Sequence, residues 1–216
     1  MISKKKLLNN IRIYLILDKK VAGRRKMSLL LREAIRGGID MVQYRDKISS
    51  CKKMIPEALE LLKIARKHSV PFIVNDRCDV AKSIDADGVH IGQDDVAPAV
   101  ARTILGTKKI IGYSCRDTQD LKSIKKGCVD YYGFGPVYAT KTKPELRARG
   151  RNKLEDFVKN ARKPVFAIGG ISEDNICDLK NIKNIRLAIC SDICCAKNIW
   201  KKVKKIKDGL KPCLKH

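Results

Sequence analysis

PFIVNDRCDVAKSIDADGVHIGQDD, residues 71–95, contains two apolar runs that each end in polar residues, with a short helical segment between them. Residues 71–76 (PFIVND) have the length and composition of a buried strand, and so do residues 88–92 (GVHIG). Residues 80–85 between them carry helical spacing. Strand, helix, strand predicts a parallel pair, because a parallel return needs a crossover and a helix supplies it.

The same alternation continues outward in both directions. Toward the N-terminus, strands are expected at residues 11–18 and 41–47, with helices at 27–38 and 51–68. The longer helix places Leu59, Leu62 and Ala65 on one face, and Pro56 is expected to kink it. Toward the C-terminus, strands are expected at 109–115, 131–137, 164–169 and 185–191. Helices are expected at 96–105, 118–126, 154–161, 173–181 and 196–207, and residues 138–151 read as a polar, basic loop. Eight strands, each followed by a helix, is the number at which a parallel sheet closes into a barrel. The expected fold is therefore α/β, a (β/α)8 TIM barrel, in a single domain over residues 1–216. An open doubly wound sheet usually has fewer strands and a glycine-rich turn after the first, where only Gly23 stands.

Composition narrows the function classes. The chain has 216 residues, 44% of them hydrophobic, with 47 Lys+Arg against 23 Asp+Glu and a net charge of +24. Such an excess points either to a polyanion partner or to solvated helix faces rich in lysine. The lysines are scattered and no aromatic residues interleave with them, as a stacking surface for single strands requires. Solvated faces are the expectation, with no specific nucleic-acid partner. Nine cysteines, Cys213 among them, form no Cys-x-x-Cys pair and read as small buried hydrophobes in a reducing cytoplasm. No apolar run reaches the roughly 18 residues of a membrane span. The basic and then apolar N-terminus ends in Asp18 without a cleavage site, so it reads as the approach to the first strand. Oligomeric state is left open, and a homo-oligomer is compatible with the chain.

In such barrels the chemistry gathers where strands end. The second strand ends Gln43-Tyr44-Arg45-Asp46-Lys47, and the period of two puts Gln43, Arg45 and Lys47 on one face. An amide and two cations suit a diphosphate, although a solvated basic strand end would read the same way. The third strand ends Asn75-Asp76-Arg77, and the fourth leads into Gln93-Asp94-Asp95. Asp76 and Asp95, from adjacent strand ends with few histidines near, suit a hard cation, best Mg²⁺. The alternative is that one of Asp94 and Asp95 caps the next helix, and Asp94 could do so while Asp95 holds the ion. His90, between apolar neighbours, is expected to be a structural, hydrogen-bonded histidine. Thr140, Lys141, Thr142 and Lys143 alternate hydroxyls with ammonium groups on the loop after the sixth strand, and such a loop can close over phosphate. Gly169-Gly170 and Cys190-Ser191 end the seventh and eighth strands before helices, where this fold commonly builds a phosphate site.

Together these motifs resemble the thiamine-phosphate synthase family along almost the whole chain. The resemblance rests on Gln43-x-Arg45-x-Lys47, VNDR (74–77), GVHIGQDD (88–95), GPVYATKTK (135–143), AIGGI (167–171) and AICS (188–191), in that order. It implies a Mg²⁺-dependent transferase that joins a pyrimidine diphosphate to a thiazole phosphate and releases pyrophosphate. Asp76 and Asp95 would hold one Mg²⁺. Gln43, Arg45, Lys47, Asn75, Ser114 and Lys143 would meet the pyrimidine diphosphate, and Arg45, Lys47, Ser114 and Lys143 would act in the reaction itself. Thr140, Thr142, Gly170, Cys190 and Ser191 would bind the thiazole phosphate. The chain departs from the family pattern at Cys115-Arg116, Arg186 and Asp192, which bears on thiazole-phosphate binding.

Two rivals stand beside this reading. The sister family of thiazole tautomerases shares the barrel, but it tends to lose the Asn-Asp pair and the second aspartate and to use a histidine on the fifth strand. Here both aspartates stand and Arg116 occupies that region. A non-catalytic basic barrel that binds nucleic acid leaves the aspartate pair and the Gln-x-Arg-x-Lys row unexplained.

Overall fold

The computed structural model of the chain describes residues 3–140 and 142–210. Eight parallel strands run in chain order: β1 (Ile13–Asp18), β2 (Met41–Arg45), β3 (Phe72–Asn75), β4 (Gly88–Ile91), β5 (Ile110–Cys115), β6 (Tyr131–Phe134), β7 (Val165–Ile168) and β8 (Arg186–Ile189). Each pairs with the next, and β8 pairs with β1 to close the barrel. Helix α1 (Lys4–Asn10) precedes β1, and α2 (Lys19–Ala22) and α3 (Met27–Gly37) follow it. Single helices follow β2 to β7: α4 (Cys51–Lys67), α5 (Cys78–Ser83), α6 (Pro98–Leu105), α7 (Asp120–Ser123), α8 (Arg151–Asn160) and α9 (Ile176–Leu179). After β8 come α10 (Ser191–Cys194) and α11 (Ile199–Gly209). The expected closed (β/α)8 barrel is the observed architecture.

The strand period divides the core into two layers. Ile13, Leu15 and Leu17 of β1 face outward, into the layer shared with helix residues such as Leu31, Leu61 and Val203. Tyr14 and Ile16 face inward, where Met41, Ile73, Ile110, Tyr131, Phe166 and Ala188 fill the barrel. Both faces are buried, so the strands read as continuous apolar runs rather than alternating ones. The inward series ends in polar residues at one rim, and that rim carries the site.

The chain departs from its sequence reading at several element ends. The N-terminus does not run straight into the first strand. Residues 4–10 form α1, capped by the Ser3 hydroxyl, which accepts from Lys6 N at 3.3 Å. Leu8 and Ile11 then join the inner cluster. Helix α4 runs unbroken through Pro56. The helices expected at 118–126 and 173–181 shrink to the single turns α7 and α9. The short α2 and α10 sit in loops after β1 and β8 and carry no amphipathic period long enough to read.

Arg186 is one of the departures from the family pattern, and its place explains it. It is buried at the start of β8, the end opposite the polar rim, and donates from Nε to Leu8 O at 3.1 Å and from Nη1 to Asn184 O at 2.8 Å. Its Nη2 lies 3.3 Å from Asn9 Oδ1. Arg186 thus ties α1 to the barrel, far from any rim ligand. Arg186→Met is expected to lower the unfolding free energy by roughly 2 kcal/mol, the cost of losing charged hydrogen bonds to buried carbonyls. A denaturant titration measures it.

Candidate active site

One cavity of about 210 Å³ opens at the C-terminal ends of the strands. Its walls include all thirteen residues to which the family resemblance gives a role: Gln43, Arg45, Lys47, Asn75, Asp76, Asp95, Ser114, Thr140, Thr142, Lys143, Gly170, Cys190 and Ser191. Lys141 and Cys213 lie outside the described residues. The β2 row behaves as the period requires. Gln43 and Arg45 face the cavity, while Tyr44 turns outward to stack on Phe72 and to donate to Glu57 Oε2 at 2.9 Å. Asp46, the other residue skipped by the row, accepts from Ile48 N and Ser49 N at 2.9 Å each and shapes the turn that carries Lys47 back to the rim.

The rim is a balance of carboxylates and cations. Lys47 Nζ sits 2.6 Å from Asp76 Oδ2. Asp76 is a non-glycine residue at φ +61°, and its N–H donates to His90 O at 2.8 Å. That conformation costs on the order of 1 kcal/mol and is typical of functional sites. Asp95 Oδ2 accepts from Gly92 N at 2.7 Å. Helix α6 begins at Pro98 with no side-chain cap, so neither Asp94 nor Asp95 caps it. Burial, and then the Asp76 carboxyl beside it, hold the Asp95 carboxyl above the usual carboxylate range. Two carboxyls this close repel when both are ionised, and a divalent cation relieves that repulsion. Lys47 already places a positive group against one of them. Among the described residues no third Asp, Glu, His or Cys joins the pair. Two protein ligands, with water and substrate oxygens for the rest, is the arrangement Mg²⁺ tolerates best, so the residues fit that ion.

Arg45 is ion-paired with Asp18, a buried residue that also caps α2 by accepting from Val21 N at 3.0 Å. Asp18 lines the cavity and was not among the residues expected there. Its signal is present, since it ends the inward series Tyr14, Ile16, Asp18. Lys143 reaches the same wall. Desolvation, and then the nearby Arg45 guanidinium, lower its ammonium pKa. Arg45 and Lys47 each already meet a carboxylate, and Lys143 crowds in beside them, so the wall concentrates positive charge for an anion.

The opposite wall comes from the loops after β6, β7 and β8. Gly169 and Gly170 take φ values of +96° and +64°. A Cβ on Gly169 would stand 2.4 Å from Pro136 Cβ, and one on Gly170 would stand 2.4 Å from Ala139 O. The glycine pair therefore seats the β6 loop as well as opening backbone to the cavity. Thr142 N lies 3.3 Å from Thr140 Oγ1 in that loop, and Asn175 Nδ2 donates to Gly170 O at 2.8 Å. Asp192, a departure that threatened this wall, turns away: it accepts from Glu173 N at 3.0 Å and pairs with Lys202 at 3.3 Å. Arg116 does line the cavity. The Cys190 thiol is raised in pKa by its contact with Cys194 and by burial, so it stays protonated.

His90 is buried and hydrogen-bonded, as expected of a structural histidine, yet it also lines the cavity. Burial, and then the Lys143 charge, pull it down to about 4, so its ring is neutral at physiological pH.

Paired carboxylates and three cations on one wall, and a glycine- and hydroxyl-rich second wall, place a charged site of the enzyme class at the C-terminal mouth of a (β/α)8 barrel. The family model described as thiamine monophosphate synthase matches residues 13–193. A thiamine-phosphate synthase of Persephonella marina is 42% identical over 91% of this chain and 94% of its own length. Thiamine-phosphate synthase 1 of Aquifex aeolicus is 35% identical over 95% of this chain and 96% of its own length. The solved thiamine phosphate pyrophosphorylase of Pyrococcus furiosus superposes with a TM-score of 0.85 at 30% identity, covering 94% of this chain and 97% of that one. The chain belongs to the thiamine monophosphate synthase family and is a transferase of thiamine biosynthesis. Among the described residues no helix is long and apolar enough to cross a membrane.

Proposed function

We propose that the chain joins a hydroxymethylpyrimidine diphosphate to a phosphooxyethyl thiazole, forming thiamine monophosphate and pyrophosphate by dissociative substitution. The observation that carries this reading is the gathering of Asp76, Asp95, Arg45, Lys47 and Lys143 in one cavity, facing Thr140, Thr142, Gly170 and Ser191. Arg45, Lys47 and Lys143, with Gln43 and Asn75, hold the diphosphate and stabilise its charge as the carbon–oxygen bond breaks. The electron pair leaves with pyrophosphate, and the thiazole nitrogen then donates its lone pair to the pyrimidine methyl cation. No proton has to move, which suits a cavity whose one histidine is neutral and buried. Thr140, Thr142 and the backbone at Gly170 and Ser191, with Cys190 beside them, hold the thiazole phosphate. Ser114 lies between the two walls. Asp76 and Asp95 are the ligands for one Mg²⁺, which when bound supplies Lewis-acid charge to the departing diphosphate.

The partners in this reading are small phosphorylated molecules, and the proposed setting is the cytoplasm. Purified protein given both substrates and Mg²⁺ is expected to release pyrophosphate, and EDTA to stop it. Lys47→Ala is expected to lower kcat/KM for the pyrimidine diphosphate about tenfold or more, with KM for the thiazole phosphate little changed. An unchanged kcat/KM for the diphosphate substrate removes Lys47 from the site.

A further inference from the structure

Five side chains from five strands form one hydrogen-bonded series across the barrel interior. Gln43 Nε2 donates to Tyr14 Oη at 2.7 Å. Tyr14 Oη lies 2.9 Å from Tyr131 Oη, and Tyr131 Oη lies 3.0 Å from His90 Nδ1. His90 Nε2 lies 2.9 Å from Ser114 Oγ. Tyr14 and Tyr131 are 1% and 0% exposed, Gln43 3% and His90 9%. The two ends of the series, Gln43 and Ser114, both line the cavity from different strands.

Counting protons gives the series a direction. Each tyrosine hydroxyl carries one proton, and so does a neutral imidazole. The amide nitrogen of Gln43 only donates, so Tyr14 accepts there, and the arrangement in which the buried Tyr14 proton also finds a partner has it donated to Tyr131. Tyr131 in turn gives its proton to His90 Nδ1. The ring proton is then on Nε2 and is donated to Ser114 Oγ. Ser114 has its accepting role filled from below, and its own proton is left for the cavity. Buried series of this kind polarise along their length and act as a unit.

The strands make room for it at the expense of side chains. A Cβ on Gly112 would stand 2.1 Å from Tyr131 Cζ and 2.5 Å from His90 Nδ1, and one on Gly133 would stand 3.0 Å from His90 Cε1. Phe166 packs edge-on against both tyrosines, with ring centroids 5.3 Å from Tyr14 and 5.0 Å from Tyr131. The rings have little freedom to choose other partners.

We infer that the Gln43–Tyr14–Tyr131–His90–Ser114 series is a positioning device: it locks His90 as the Nε2–H tautomer and so presents the Ser114 hydroxyl as a donor to an acceptor atom of the pyrimidine diphosphate. Tyr14, Tyr131 and His90 are positioning residues that act through Ser114. The substrate in this statement rests on the function proposed above; the tautomer does not.

The test has two arms. In the free protein, ¹⁵N NMR of the imidazoles, with His90 assigned by its loss in His90→Gln, is expected to show Nε2 protonated and Nδ1 bare at neutral pH. In the kinetic arm, Tyr131→Phe is expected to lower kcat/KM about tenfold, the loss of one aligned hydrogen bond. Adding Tyr131→Phe to Ser114→Ala is expected to cost little more than Ser114→Ala alone. An Nδ1–H tautomer, an imidazolium, or penalties that simply multiply in the double variant would overturn the inference. The NMR arm uses no variant of Tyr131, so it stands even where Tyr131→Phe fails to fold. If the wild-type protein releases no pyrophosphate, the function reading fails while the NMR arm still decides the tautomer.

Discussion

Asp95→Asn is expected to lower kcat/KM for the pyrimidine diphosphate by about 10²- to 10³-fold, the scale on which a lost charge-stabilising group acts at a leaving group. Asparagine keeps the volume and an oxygen for Gly92 N, so the loop after β4 retains its turn. What disappears is half of the carboxylate pair. Because like charges sit together in the free protein, the same variant is expected to unfold at an equal or higher temperature. A stability loss parallel to the activity loss would mean that Asp95 serves the fold rather than the ion. Ion binding needs both carboxyls deprotonated, and Asp95 holds its proton above the ordinary carboxyl range. The Mg²⁺ concentration for half-maximal rate is therefore expected to rise as pH falls toward that range. Steady-state kinetics at several Mg²⁺ concentrations and pH values, with thermal melts, measures all of this.

Arg45→Met carries the second large effect, and it reaches both stability and activity. The Asp18 side chain is 2% exposed and has Arg45 as its ion-pair partner. Removing the guanidinium leaves a buried carboxylate uncompensated, at a cost of about 3–5 kcal/mol. Activity is expected to fall by about a hundredfold or more, since the diphosphate loses a charged, two-pronged partner. The double variant Asp18→Asn/Arg45→Met separates the two roles. It removes the orphaned charge, so denaturant titration is expected to show most of the stability regained. Its kcat/KM is expected to stay low. Activity that returns together with stability would show that Arg45 only maintains the fold.

The fold was legible because every strand is buried on both faces and every return needs a helix. Residues 71–95 already contain that logic, and the remaining strands repeat it. The rim was legible for the same reason: on β1, β2, β3 and β5 the period of two carries the inward face to a polar residue at the strand end, Asp18, Arg45, Asn75 and Ser114. Asp18 obeys the same rule on β1, where no motif marks it. The capping alternative for Asp94 and Asp95 failed because α6 starts at Pro98, late enough to leave both residues in the loop.

Other features depend on where strands fall around a closed circle, which spacing does not reveal. Tyr14, Tyr131 and His90 come from β1, β6 and β4, and only the barrel brings their polar atoms to within 3.0 Å of one another in series. Arg186 and Asp192 looked like threats to phosphate binding when read by position in the chain. One lies at the opposite end of the barrel, holding Leu8 and Asn9, and the other turns to Lys202. Helix α1 escaped notice because its seven residues bury only Leu8, too little for a periodic signal.

In the proposed reaction one rim of the barrel holds a divalent ion and a diphosphate between its carboxylates and its cations. A crystal structure of the protein grown with Mn²⁺ and pyrophosphate, read by the anomalous signal of the metal, addresses it directly. The expected result is a metal peak bound by both Asp76 and Asp95, with pyrophosphate oxygens against Arg45, Lys47 and Lys143. A metal peak elsewhere, or pyrophosphate seated away from those three cations, would contradict it.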